Sequence, residues 1–245
     1  MRKLLSSIQS LNLYIVTCVL FCRVLCATEL LPWYGQDLEI ETRAISQMQA
    51  YRLVSEGHRT IPHSGCDLFF EVSAGTSFND LAAELEVIAS DSRYRHFGMD
   101  CLKLTGRYRW LNDVVADPVS LVTGISISQV FKPGLRNLSS FHHGGIEGEF
   151  HLSVGKEHSF GQYWISRYWG VVGVGVADMG YPWIRANVAW EHNYCEQHRL
   201  RLFVNSLWGL GYKSLHVHEF HGYGSIGHQL VDIGIRYGRS FERSA

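Results

Sequence analysis

With 245 residues, 22 basic and 23 acidic side chains and a formal net charge of −1, the chain has the length of a single all-β domain and lacks the basic excess of a nucleic-acid binder. Beyond the N-terminus it contains no run of about 18 uncharged apolar residues, which excludes a bundle of membrane-spanning helices. Its 24 glycines against 5 prolines, with 13% aromatic residues, suit many strands joined by turns.

Residues 1–27 read as a signal peptide. Arg2 and Lys3 supply a positive start, Leu11 to Cys22 an apolar stretch interrupted by Asn12, and Ala27 the cleavage residue, although Leu25 is large for its position and Arg23 lies close to the cut. Residues 28–245 then form the mature domain. Cys18, Cys22 and Cys26 fall in the leader and lack the small-residue approach of a lipid-attachment site. The mature chain keeps Cys66, Cys101 and Cys195, an odd number that leaves either one disulfide with a free thiol or none. Without a CxxC pair, a thiolate zinc site is not expected.

Ten segments alternate apolar and polar residues, the period-two pattern of strands with two unlike faces. Asp37 to Arg52 sets Leu38, Ile40, Ala44 and Met48 against Glu39, Glu41, Arg43 and Gln47. Cys66 to Gly75 sets Leu68, Phe70 and Val72 against Asp67, Glu71 and Ser73. Leu81 to Ala89 sets Leu81, Leu85 and Val87 against Glu84 and Glu86, although Ala, Leu and Glu favour helix. Gly98 to Leu111 sets Leu102, Leu104, Tyr108 and Trp110 against Lys103, Thr105, Arg107 and Arg109. Val119 to Phe131 and Gly145 to Val154 continue the pattern, the second with Ile146, Phe150 and Leu152 opposite Glu147, Glu149, His151 and Ser153. Tyr163 to Ala177 carries Trp164, Tyr168, Val172 and Val174 on one side.

Tyr181 to Tyr194 shows the pattern most fully: Ile184, Ala186, Val188, Trp190 and Tyr194 face one way, and Arg185, Asn187, Glu191 and Asn193 the other. Arg199 to Tyr212 and Gln229 to Phe241 complete the set, with Arg199, Arg201, Asp232 and Arg236 on their polar faces. The connections alternate in length. Those at 75–80, 112–118, 155–162 and 194–198 are short, 53–66, 132–144 and 213–225 are longer, 90–97 is intermediate and 177–181 tight. Short turns at one end and longer loops at the other are the expected asymmetry of an outer-membrane barrel.

These residues together carry a resemblance. The chain resembles the small bacterial outer-membrane β-barrel class over about residues 37–241, and Asp232-Ile-Gly234-Ile-Arg-Tyr237 resembles the C-terminal signal such proteins show to their assembly machinery. Arg239 stands where an aromatic is usual, and a tail from Glu242 to Ala245 follows Phe241. The resemblance implies a closed antiparallel up-and-down transmembrane β-barrel of about ten strands, with eight and twelve as alternatives. It also implies a place in the Gram-negative outer membrane after export. The partners are then the lipid bilayer, lipopolysaccharide, the barrel-assembly machinery and a surface partner at the external loops. No nucleic acid and no cofactor are expected.

With the aliphatic faces outward, the interior collects both charge signs. Arg107, Arg109, Glu147, Glu149, Arg185, Glu191, Arg199, Arg201, Asp232 and Arg236 are expected to form an ion-pair network that plugs a barrel of this size. Trp110, Trp164, Trp190, Trp208, Tyr194 and Tyr212 are read as rings at the membrane interface.

Two motifs bear on chemistry. His151 and Ser153, with Glu149 on the same face, resemble the His-x-Ser pair of outer-membrane lipid hydrolases, but alternation turns them inward, away from lipid. His216, His218 and His221 offer imidazoles of the kind that ligate metals, but a solvated, aromatic-rich loop is the preferred account of them and no metal is expected. The leading expectation is therefore a non-enzymatic barrel with a structural or surface-interaction role. The alternatives are a small pore for polar solutes, a lipid-modifying hydrolase, and a secreted soluble sandwich with a carbohydrate-binding face.

Overall fold

The computed structural model describes residues 30–35, 38–56, 59–92, 95–161, 163–195 and 197–239. The expected signal peptide and the C-terminal residues from 240 on lie outside them. Ten strands follow in chain order: β1 Glu39–Glu56, β2 Arg59–Phe78, β3 Leu81–Ser92, β4 Arg95–Leu111, β5 Ser120–Val130, β6 Ile146–Phe160, β7 Tyr163–Ala177, β8 Trp183–Tyr194, β9 His198–Leu210 and β10 Gly227–Arg239. One helical turn, Lys132–Leu135, interrupts the β5–β6 loop, and a 3₁₀ turn, Val217–Glu219, the β9–β10 loop.

All ten strands pair antiparallel with their sequence neighbours in one up-and-down sheet, ordered β1 to β10. Each predicted segment is matched by one observed strand. The sheet curls, since side chains from Ile88 on β3 through to Arg236 on β10 line one cavity. The hydrogen-bonded order is linear, and no ladder joins β1 to β10 among the described residues.

Alternation decides which face turns inward. β3 reads as strand despite its helix-favouring composition, because Leu81, Ala83 and Leu85 are exposed while Ala82, Glu84, Glu86 and Ile88 are buried. The same inversion runs through β6, where Phe150 and Leu152 are exposed and His151 and Ser153 are buried.

The hairpin turns are tighter than the sequence predicts. The expected loop at 53–66 is largely strand: Leu53 pairs with Pro62 and Glu56 with Arg59, after a register shift beyond Tyr51. A run of His, Arg, Thr and Pro broke the alternation there, although the backbone continued to pair. The β2–β3 connection shrinks to Asn79 and Asp80, with Asn79 in the left-handed region at φ 54°, as tight hairpins require. Two connections remain long, 131–145 and 211–226, and both lie at the end opposite the β2–β3, β4–β5, β6–β7 and β8–β9 turns. They pack on each other through Phe220, Tyr223 and Ile226 against Leu138, Phe141 and Leu215.

Residues 30–35 have no counterpart among the predicted elements. They run inside the curled sheet as an extended segment. Ser153 donates to the Leu30 carbonyl at 2.8 Å, Arg107 to the Leu31 carbonyl at 3.3 Å and Arg109 to the Tyr34 carbonyl at 2.9 Å.

Candidate functional site: the interior and its loop end

The inward face gathers charge and pairs much of it locally. Arg185 pairs with Glu149 across β8 and β6. Arg201 donates to Glu191 from Nε at 3.0 Å and from a terminal nitrogen at 2.7 Å. Arg107 approaches Glu84 at 4.0 Å, Lys103 approaches Glu86 at 3.3 Å, and Arg43 bonds the same Glu84. Arg109 reaches Asp80 at 3.3 Å and donates to the Asn79 carbonyl at 2.7 Å. Pairing of this kind is what allows desolvated charge to persist.

The inward charges meet as separate pairs, with Arg43, Glu84, Glu86 and Lys103 among the partners. Glu147 bonds His142 and His143, and no arginine among the described residues. Arg199 lies 5.5 Å from the Trp164 ring. Asp232 and Arg236 sit at inward positions of β10, Arg236 on the cavity wall. Glu39 and Glu41, at the start of β1, are exposed.

The interior is not filled by charge alone. Leu30, Trp169, Val171 and Ala189 form an apolar cluster, packed with Leu31, Trp33 and Phe203. Trp33 meets Trp169 edge-on at 5.9 Å, and Arg201 lies 4.9 Å from the Trp169 ring. Trp33 Nε1 donates to Asp113 at 2.8 Å, and Asp113 also accepts from Ser120 Oγ and from the Glu157 amide, both at 2.5 Å. Partial burial works against the Asp113 carboxylate, but these bonds and Lys156 outweigh it and hold its carboxyl below the usual range. Burial raises the Tyr34 hydroxyl to about 12, against the opposing pull of Arg109 and Arg107. Above the segment a cavity of about 180 Å³ remains, lined by polar and apolar side chains.

The hydrolase pair is not assembled. His151 and Ser153 are buried on the inward face, and Ser153 Oγ is committed to the Leu30 carbonyl. Neither ring nitrogen of His151 has a hydrogen-bond partner among the described residues. Its ring fits over Gly124, where an added Cβ would meet His151 Nε2 at 2.3 Å. Glu149, the expected orienting carboxylate, pairs with Arg185 instead. His216, His218 and His221 are exposed. Two of them flank or enter the 3₁₀ turn and do not lie on an extended segment, and no three-ligand grouping forms there among the described residues.

Of the six interface aromatics, Trp110, Trp190, Tyr194 and Tyr212 are exposed on the apolar side, and Trp208 is half-buried. Trp164 departs from the reading. A bulge pairs His158 with Ser166 and Ser159 with Trp164. The extra residue, Ile165, shifts the parity, so that Tyr163 and Ile165 are exposed while Trp164 is half-buried with Arg167 4.3 Å from its ring.

Sequence reasoning missed the constellation at the loop end. His142, from the β5–β6 loop, lies between two carboxylates, with Nε2 3.2 Å from Asp100 and Nδ1 3.2 Å from Glu147. Burial opposes charge on this ring, but hydrogen bonds with Asp100, Cys101 and Glu147 outweigh it and raise His142 well above the usual histidine range. His143 stacks on Trp183 at 4.0 Å, and its amide donates to Glu147 at 2.5 Å. No CxxC or paired-histidine spacing announces the group, because residues some forty positions apart are joined by the curl of the sheet. Searches against family models, curated proteins and solved structures return no match to this chain.

Proposed function

We propose that this protein is a bacterial outer-membrane β-barrel with a structural or surface-interaction role, its interior stopped by ion pairs and by residues 30–35. The inverted burial carries the reading. Val188 and Ile233 are 64% and 82% exposed, while Glu86 and His151 are 1% and 0% exposed. In water, each stranded Val or Ile forgoes about 1.5–3 kcal/mol of burial. The apolar face extends from Ile40 on β1 to Ile235 on β10, far beyond the few hundred Å² a soluble monomer exposes. Hydrocarbon turns that cost into a gain. The strands, 11 to 20 residues long, meet or exceed the roughly 9–11 needed for a tilted crossing.

Closure belongs to the same proposal. An open edge in hydrocarbon leaves N–H and C=O groups unsatisfied at several kcal/mol each, so β1 and β10 pair in the membrane. The long loops then face outward, where lipopolysaccharide and a surface partner meet them. The motif around Gly234 and Tyr237 on the last strand is what the assembly machinery reads. No catalytic step is part of the proposal.

The test is electrophoresis of membrane fractions in SDS with and without heating. A compact unheated band that shifts to the mobility of the unfolded chain on boiling is the expected outcome. Identical mobility in both lanes, or a folded chain recovered from the detergent-free soluble fraction, would refute the membrane reading.

A further inference from the structure

The loop-end constellation serves no part of that proposal. Asp100, Cys101 and His142 each bring one donor atom to a group in which all lie within 4.8 Å of one another. Asp100 and Cys101 are consecutive in β4, so in a regular strand they would face opposite ways. The register pairs Ile88 with Cys101 and Ala89 with Met99, which leaves Asp100 as an extra residue. This bulge leaves Asp100 and Cys101 1% and 2% exposed, both buried. Bulges commonly re-aim side chains beside functional sites.

We infer that Asp100, Cys101 and His142 form a binding site for a divalent metal of the zinc class, with a fourth position facing the interior cavity. Carboxylate oxygen, thiolate sulfur and imidazole nitrogen are all zinc donors, and three protein ligands with an open position make a recognised zinc arrangement. The thiolate disfavours magnesium and calcium, which take oxygen. Tetrahedral bonds of about 2.0–2.3 Å separate donors by about 3.3–3.8 Å, and His142 Nε2 already stands 3.2 Å from Asp100 Oδ2.

The surrounding bonds orient these donors as outer partners do in metal sites. Ser90 and Ser140 donate to Asp100 Oδ1 at 3.3 and 3.0 Å and leave Oδ2 to face His142. Glu147 fixes Nδ1 of His142. Cys101, Ser140, His142 and Glu147 line the cavity, which provides the route in.

Binding is an exchange of protons for the ion, with no change of oxidation state. With both ring nitrogens facing carboxylate oxygens, His142 carries two N–H groups. One M–N, one M–S and one M–O bond form, to His142, Cys101 and Asp100 Oδ2; the Nε2–H and the Cys101 S–H bonds break, and two protons leave to water.

The experiment is titration of Co²⁺ alone, followed by Zn²⁺, into the protein purified from membranes under reducing conditions. One equivalent of Co²⁺ should produce a thiolate-to-metal charge-transfer band with visible tetrahedral bands, erased by one equivalent of Zn²⁺. Cys101→Ser and His142→Gln should lose the band, and Glu147→Gln should bind about 10–100-fold more weakly. Cys66→Ser with Cys195→Ser, which leaves Cys101 the sole cysteine of the described sheet, should keep the band, as should the triple variant His216→Ala, His218→Ala, His221→Ala. The absence of a thiolate band in the unaltered protein overturns the site whether or not any variant folds. So does a band that survives Cys101→Ser or disappears with the loop histidines.

Discussion

Single residues carry the interior through close fits as much as through charge. Gly234 stands directly opposite Phe203 in the β9–β10 register, and an added Cβ would meet the ring at 2.2 Å. The glycine of the resembled C-terminal signal is thus also the seat of an aromatic ring. Gly234→Ala should cost about 1–3 kcal/mol through overpacking, read as a lower temperature of the heat-induced mobility shift. Phe203→Leu should recover part of that loss. Charge follows a different rule. Glu149→Gln strands Arg185, and breaking a buried pair costs about 3–5 kcal/mol. Replacing both Arg185 and Glu149 by Met should cost much less, so a double-mutant cycle on urea midpoints should return a large coupling. Tyr34 adds a pH signature. Its folded value of about 12 stands above the ordinary 10.0. The neutral form is therefore favoured by folding, and its contribution is whole below pH 10 and disappears as pH climbs toward 12. Tyr34→Phe should remove that alkaline step from a stability-against-pH curve.

At the scale of elements, the sequence made the ten strands legible because alternation is local and each residue votes on its own face. β3 shows how strongly: its Ala, Leu and Glu favour helix, yet Glu84 and Glu86 fall on the buried face, as alternation requires. What stayed hidden was set by neighbours. The bulge that turns Trp164 and the one that joins Asp100 to Cys101 are properties of register between two strands, and neither strand carries a mark of its own. The hairpin at residues 53–62 pairs through its backbone, to which side-chain periodicity is blind. The segment at Leu30–Tyr34 carries too short a pattern to register as an element, and its role depends on carbonyls that Ser153, Arg107 and Arg109 engage. Its anchor is testable. Trp33→Ala combined with Asp113→Ala should raise single-channel conductance in planar bilayers above that of the unaltered protein. Equal conductance would show that the segment does not stop the interior. Asp113 adds a direction: with its carboxyl held below the usual range, its hold on Trp33 persists above about pH 4 and weakens as pH falls further.

For the molecule as a whole, the legible fact was that the greasy set is broad, aliphatic and rimmed by Trp and Tyr while the opposite set is ionic. The structure keeps that division, with Leu104 exposed and Lys103 and Thr105 buried on either side of it. The apolar cluster around Trp169 was not legible, because Trp169, Val171 and Phe203 share the inward face with Arg201 and Asn205 and look like exceptions until the inner segment is seen against them. The seam between β1 and β10 is the remaining test at this scale. Amide hydrogen exchange in lipid should protect alternate amides of both strands as fully as those of β5 and β6, and rapid exchange confined to β1 and β10 would show a sheet that stays open.

Residues 30–35 sit inside a wall made entirely of later sequence. In the proposed closed barrel that strip, tied to β1 at one end, fills the bore like a rod in a sleeve. One order of events suits this arrangement: the strip is seated first, the hairpins bend about it, and the two rims of the proposed barrel join last. Weakening the strip's grip at Trp33 should then slow the appearance of the compact, heat-sensitive form more than it lowers that form's final stability.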